Sequence, residues 1–164
     1  MDFPLAIMKS RNLITTEQHD AGMRFAALSW ALYGEPFAGC EGLYERMVGS
    51  TDRGPIAEVD PVEAGKRRDK RRESLNAMLE TLQRRDPILR EPVESSRMRR
   101  IVKNVCQYAT MPRWLVVLID CERDSTGKLR YRVSDGVERA LLIEGLQRLA
   151  DVERKRAPSQ KRVA

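Results

Sequence analysis

Trp114-Leu115-Val116-Val117-Leu118-Ile119 separates an all-helical chain from one with a hairpin. Six apolar residues in a row carry no polar marks, so a buried helix and a buried strand would look the same. Val116, Val117 and Ile119 are β-branched, which favours a strand. Asp124-Ser125-Thr126-Gly127-Lys128 then offers a five-residue connection containing glycine, and Leu129-Arg130-Tyr131-Arg132-Val133 alternates apolar and basic. We therefore expect a β-hairpin with Leu129, Tyr131 and Val133 inward and Arg130 and Arg132 outward. The competing reading keeps the run helical: Thr110 followed by Pro112 suits a helix start, which would form a helix-turn-helix with the preceding element.

The flanks of this run read as helices. Before it, Ser95 or Ser96 caps a helix whose buried stripe is Met98, Ile101, Val102 and Val105, with Cys106 beside it. Arg97, Arg99, Arg100 and Lys103 give that helix four positive charges and no acid, and Tyr108–Pro112 ends it. After the run, an Asp135…Glu138 capping pair opens the last helix. Its core face is Val137, Leu141, Leu142, Gly145, Leu146, Leu149 and Val152. A mid-stripe glycine costs about 1 kcal/mol relative to alanine, so Gly145 predicts close approach of another backbone. Arg154 to Arg162 follows as a basic, disordered tail.

Further upstream, Asp60-Pro61-Val62-Glu63 combines an N-cap, a proline at the first helical position and an acid in the first turn. The helix should run to about Arg85. Its apolar stripe is Leu75, Met78, Leu79 and Leu82. Stepped back toward the N-terminus, the stripe meets Arg71 or Arg72, then Arg68, then Ala64. Lys66-Arg67-Arg68-Asp69-Lys70-Arg71-Arg72 is thus charged all round, and should project from the body or lie along a polyanion. Nearer the N-terminus, a Thr15…Gln18 capping box starts a helix with an Ala21, Phe25, Leu28, Leu32 stripe and a neighbouring Met23, Ala26, Trp30, Tyr33 stripe. His19 reads as a partly exposed polar residue. Met1–Ile14 reads as a short extended arm. Phe37–Val59, rich in glycine, reads as a loop with a short helical piece near Leu43–Val48.

Thirty Lys and Arg against 24 Asp and Glu give a formal charge of +6 over 164 residues. The distribution is uneven: residues 16–60 carry −5 and residues 61–164 carry +10. A basic C-terminal two-thirds suits a phosphate-binding face, since Lys and Arg release condensed counterions on contact. Cys40, Cys106 and Cys121 are scattered without a CxxC and read as reduced thiols in a cytoplasmic protein. No window is long and apolar enough for a membrane span. The chain has no Gly-rich phosphate loop, GxGxxG or HExxH, and one histidine without a motif around it. Asp120, Glu122 and Asp124 are read as solvated acids. We expect no enzyme activity, no metal and no cofactor.

Two stretches carry a family resemblance. Gln18-His19-Asp20-Ala21-Gly22-Met23-Arg24-Phe25, preceded by Leu13-Ile14-Thr15, is similar to the helix of helical regulators found in alphaproteobacteria and their prophages. Val105-Cys106 paired with the terminal Leu142-x-x-Gly145-Leu146-x-x-Leu149-Ala150 resembles the closing domain of the same group. The resemblance implies an all-helical protein of phage or gene-transfer-agent type that binds DNA or the transcription machinery. Met111–Val133 departs from it as an insertion.

The expected fold is mainly α, a compact helical domain with one β-hairpin, and a winged-helix-like arrangement fits the outward arginines. Its parts are an N-terminal arm, helix and loop (1–59), a basic helical domain with the hairpin (60–153) and a basic tail (154–164). The expected function is a DNA-binding transcription regulator. Its phosphate contacts are Lys66, Arg67, Arg68, Lys70, Arg71 and Arg72, then Arg97, Arg99, Arg100 and Lys103, and the hairpin's Arg130 and Arg132. The rival is a phage-type adaptor, an antiterminator or inhibitor that binds RNA polymerase or another protein complex, with the acidic Thr16–Asp60 segment as a second docking face. Trp30, Trp114 and Tyr108 are read as core residues rather than stacking platforms.

Overall fold

The computed structural model describes residues 3–33, 61–83 and 97–156. Six helices account for the regular structure among them: α1 (Pro4–Ser10), α2 (Thr16–Tyr33), α3 (Pro61–Leu82), α4 (Arg97–Cys106), α5 (Arg113–Asp120) and α6 (Val133–Arg156). The mainly helical expectation holds. The glycine-rich loop with its Leu43–Val48 piece, the Asp60 and Ser95 or Ser96 caps, and the tail beyond 156 lie outside the described residues.

The N-terminal residues form a helix, not an extended arm. Pro4 occupies its first turn, where a missing N–H is harmless, and Phe3 precedes it in extended conformation. Asn12 closes it at a left-handed φ of 56°. The Asn12 N–H donates to the Lys9 carbonyl and the Leu13 N–H to the Met8 carbonyl, so two terminal acceptors are satisfied. The reward for folding this short piece is tertiary: Leu5 and Met8 are fully buried. Next, α2 begins with the expected capping box. Thr15 N–H donates to Gln18 Oε1 at 2.9 Å, and Gln18 N–H donates to Thr15 Oγ1 at 3.2 Å.

The apolar run 114–119 is a helix. The expected hairpin is absent, and no strand occurs among the described residues; one antiparallel bridge, Arg123 to Leu129, closes the connecting loop. Trp114, Leu115 and Val117 are buried, and Pro112 sits extended before the first turn. A helix satisfies its backbone hydrogen bonds internally, whereas an isolated two-stranded hairpin is marginal in water. Leu129 is half-buried, but Tyr131 and Val133 are not inward: they are 41% and 91% exposed. Val133 is already the first residue of α6. The loop 124–128 does turn as expected, with Asp124 Oδ1 accepting from Thr126 N–H at 2.8 Å and Lys128 N–H at 3.0 Å.

Because α6 starts at Val133, Asp135 lies within its first turn and is not the cap of an Asp135…Glu138 pair. Its carboxylate reaches back to the Arg132 backbone N–H at 2.7 Å and also accepts from the Arg113 guanidinium, tying the start of α6 to α5. Val137, expected in the core, is 42% exposed. Leu142, Gly145, Leu146 and Leu149 are buried, and Leu141 and Val152 half-buried. The helix continues to Arg156, so the basic tail does not begin at residue 154.

Helix α6 is the central element and packs on α2, α3, α4 and α5. One buried cluster draws on α1 through α6, from Phe3 to Ala150. Its largest fully buried members include Trp114, Phe25, Met23, Leu75, Met78, Leu82, Leu142, Leu146 and Leu149. Each such side chain contributes about 1.5–3 kcal/mol relative to exposure. Gly145 marks the closest approach. A Cβ there would stand 2.5 Å from Val102 Cγ2 and 3.2 Å from Met98 Cγ, so the neighbour is the α4 side chains and not a backbone. Gly22 does the same for α2, facing Leu146, Leu5 and the Cys106 sulfur.

Candidate nucleic-acid interface

Helix α3 has two halves with different partners. In its second half Leu75, Met78 and Leu82 are buried and Leu79 half-buried, which is the expected stripe. Every residue from Pro61 to Glu73 is exposed. The expectation that this half projects is therefore met among the described residues. At 1.5 Å per residue the overhang is about 18 Å long. Lys66, Arg67, Arg68, Lys70, Arg71 and Arg72 lie on it with few acids between them. Arg67 pairs with Glu63 at 3.2 Å, both ends exposed. Such a pair contributes well under 1 kcal/mol and yields easily to another anion.

Arg68, Arg71 and Arg72 continue the line of Leu75, Leu79 and Leu82, because positions three and four apart share a face. These three positions thus share the helix face that carries the buried stripe, in the half of α3 where every residue is exposed. That side leads into a cleft of about 240 Å³ between α2, α3 and α4. Arg99 and Lys103, one turn apart on α4, form one wall. Leu79, half-buried, gives it an apolar side, with the fully covered Phe25 and Leu75 behind, and Ser29, Tyr33 and Gln107 complete the lining. Lys103 Nζ also stands 5.6 Å from the centre of the Tyr108 ring. Arg97 and Arg100 are exposed on the same helix but do not line the cleft.

Arg130 and Arg132 are exposed, as expected, but on an irregular loop instead of a hairpin. Their backbones are fixed. Arg130 N–H donates to Glu122 O at 2.9 Å and its carbonyl accepts from Arg113 at 3.2 Å, while Arg132 N–H is held by Asp135. This places them on the α5–α6 side, and neither lines the cleft. The twelve candidate residues therefore divide into a group of ten on α3 and α4, of which Arg99 and Lys103 reach the cleft, and a separate pair.

In the same loop the Asp124 carboxyl lies below its ordinary range. The Thr126 hydroxyl is the largest cause, followed by the Lys128 and Thr126 amides, with the Arg130 charge adding to them. The carboxylate thus has a loop-forming role. No group of three or more His, Cys, Asp or Glu positioned for a metal occurs among the described residues. His19 is largely covered and hydrogen-bonds Asp20 at 2.7 Å. Arg154, assigned to the tail, is engaged by Glu17 at 3.3 Å and Asp151 at 3.4 Å. No helix among the described residues is long and apolar enough to cross a membrane.

Tyr108, expected in the core, is 42% exposed, and Tyr33, expected on an apolar stripe of α2, is 63% exposed. Trp114 is buried as expected, and Arg139 stacks on its ring at 5.6 Å. Tyr33 is the last residue of α2, so its phenol stands beyond the packed turns. A sequence signal existed: a tyrosine immediately before a Gly-x-Pro helix stop sits at a helix end. Comparison with known proteins finds no matching family model, curated protein or solved structure.

Proposed function

We propose that this protein is a non-enzymatic, DNA-binding regulator that holds the nucleic-acid backbone along the projecting half of α3 and the basic face of α4. The observation that carries the reading is the fully exposed run Lys66–Arg72, with six cations on a rigid helix anchored by Leu75, Met78 and Leu82. A helix with charge on every side is not stabilised by core packing there, so a polyanion gives that surface a partner. Arg99 and Lys103 extend the positive surface onto a second element. Arg130 and Arg132 form a separate basic contact on the loop before α6.

A second reading, an adaptor for RNA polymerase or another protein complex, draws on one observation. Val133 and Val137 lie one turn apart on α6 and are 91% and 42% exposed, and Tyr131, two residues before the helix, is 41% exposed. Exposed apolar residues that alternate in sequence with Arg130 and Arg132 suit an acidic protein surface. The acidic docking face expected in Thr16–Asp60 has less support among the described residues, because Glu17 is paired to Arg154. The kinship to prophage-type regulators belongs to this proposal as well, carried by the Gln18–Phe25 and Leu142–Ala150 stretches.

Selection from a random-sequence duplex pool with purified protein tests the two readings. The regulator reading expects an enriched site and retention that falls steeply with salt. No enrichment, together with a stoichiometric protein partner that survives nuclease treatment of the native complex, would overturn it in favour of the adaptor.

A further inference from the structure

The cleft between α2, α3 and α4 has a composition that backbone contact alone does not require. A phosphate needs the cations Arg99 and Lys103 but not the half-buried Leu79 or the ring of Tyr33. A base needs an apolar side and an aromatic face but not the cations. Both halves of a nucleotide therefore find their counterpart in one recess. Tyr33 stands at its rim, 63% exposed. The free volume of about 240 Å³ suits one small planar group with its substituent and is below the usual span of drug-sized pockets.

A stacked, paired base in a duplex is not available to such a recess. An unpaired one is, because its π-face can leave the stack and meet an aromatic side chain. Arg71 and Arg72 lie one turn before Leu75, so a strand leaving the cleft passes directly onto the projecting half of α3.

We infer that this cleft seats one unpaired nucleotide of a single strand, its base against Tyr33 and Leu79 and its phosphate against Lys103 and Arg99. The inference rests on the nucleic-acid reading above and narrows it: the preferred ligand presents an unpaired nucleotide beside the backbone that α3 follows.

The test measures binding of the full chain to labelled oligo(dT), oligo(rU) and a DNA duplex of equal length at one fixed salt concentration, by fluorescence anisotropy. The unsubstituted chain should bind the single strands more tightly than the duplex. Tyr33→Ala should weaken single-strand binding roughly tenfold, within the loss expected for one base–aromatic stack, and leave duplex binding unchanged. Tyr33→Phe should retain single-strand binding, since it keeps the ring. Tyr33 is exposed, so a thermal melt of each variant should match the parent. The two single strands separate the sugar from the base: both should depend on Tyr33 if the base is what the cleft holds.

Equal affinity for duplex and single strand, or unchanged single-strand binding by Tyr33→Ala, would overturn the inference. If the duplex still binds and loses affinity in Arg71→Glu with Arg72→Glu, the broader reading survives that outcome. If neither nucleic acid binds, both fall.

Discussion

Gly145 sits where a single methyl group meets Val102, a side chain with little freedom to move. Val102 Cγ2 is one bond from its own Cβ, and a β-branched residue in a helix has one strongly preferred rotamer. An added Cβ at 2.5 Å must therefore displace α4 itself. Overpacking typically costs about 1–3 kcal/mol, against a gain in helix propensity of about 1 kcal/mol for replacing glycine by alanine. Gly145→Ala should lose up to about 2 kcal/mol of stability in denaturant unfolding. Gly65, with nothing within 4 Å of its Cβ position on the exposed half of α3, supplies the control. Gly65→Ala should gain up to about 1 kcal/mol. Equal effects at the two sites would show that the α4–α6 contact is looser than described.

The cysteines give a second comparison at this scale. Cys106 is buried among Gly22 and the α4 core, and desolvation raises its thiol well above the ordinary range. Cys121 is exposed at the end of α5. An alkylating reagent on the native protein, mapped by mass spectrometry, should label Cys121 and reach Cys106 only after unfolding, because the thiolate is the reactive form. Labelling of Cys106 at the rate of Cys121 would contradict its burial.

Among the elements, α5 is held in place by one ion pair more than by its length. Eight residues are too few to be helical in isolation. Trp114, Leu115 and Val117 anchor the helix to the core, and Arg113 ties it to Asp135 in the first turn of α6. The Asp135 side chain is 5% exposed and accepts from both Arg113 and the Arg132 backbone. Asp135→Ala strands these donors and should lower stability by about 2 kcal/mol, discounted for the partial exposure of Arg113. Asp135→Asn keeps one acceptor and should lose less; equal losses would mean that packing, not the donors, sets the effect.

This region is also where the sequence was hardest to read. The stripes of α3, α4 and the second half of α6 were legible because polar residues separate their apolar positions at helical spacing. The 114–119 run has no polar residues to set a period, so β-branching tipped the reading to a strand. The competition was decided by tertiary contacts that no local pattern displays. The alternation Leu129-Arg130-Tyr131-Arg132-Val133 misled for a related reason: its last residue already belongs to α6. Met1–Ile14 reads as an extended arm because α1 is too short to show a helical period, whereas Pro4 starts that helix. The cleft was legible only in part. Arg99 and Lys103 stood out by charge, but their meeting with Tyr33 and Leu79 requires three helices to be packed first.

For the whole molecule, charge and packing are segregated along one long helix. The second half of α3 is fixed by the core that α6 organises, and the first half extends beyond it with six cations exposed. We propose that this overhang follows a nucleic-acid backbone. The most direct measurement is the salt dependence of DNA affinity for the unsubstituted protein and for Arg71→Glu with Arg72→Glu. Log affinity should fall steeply and linearly with log salt, near −0.9 per phosphate contacted, and the double variant should bind more weakly throughout with a slope shallower by about two. A parent protein whose affinity does not respond to salt, or a double variant with the parent's slope and affinity, would contradict it.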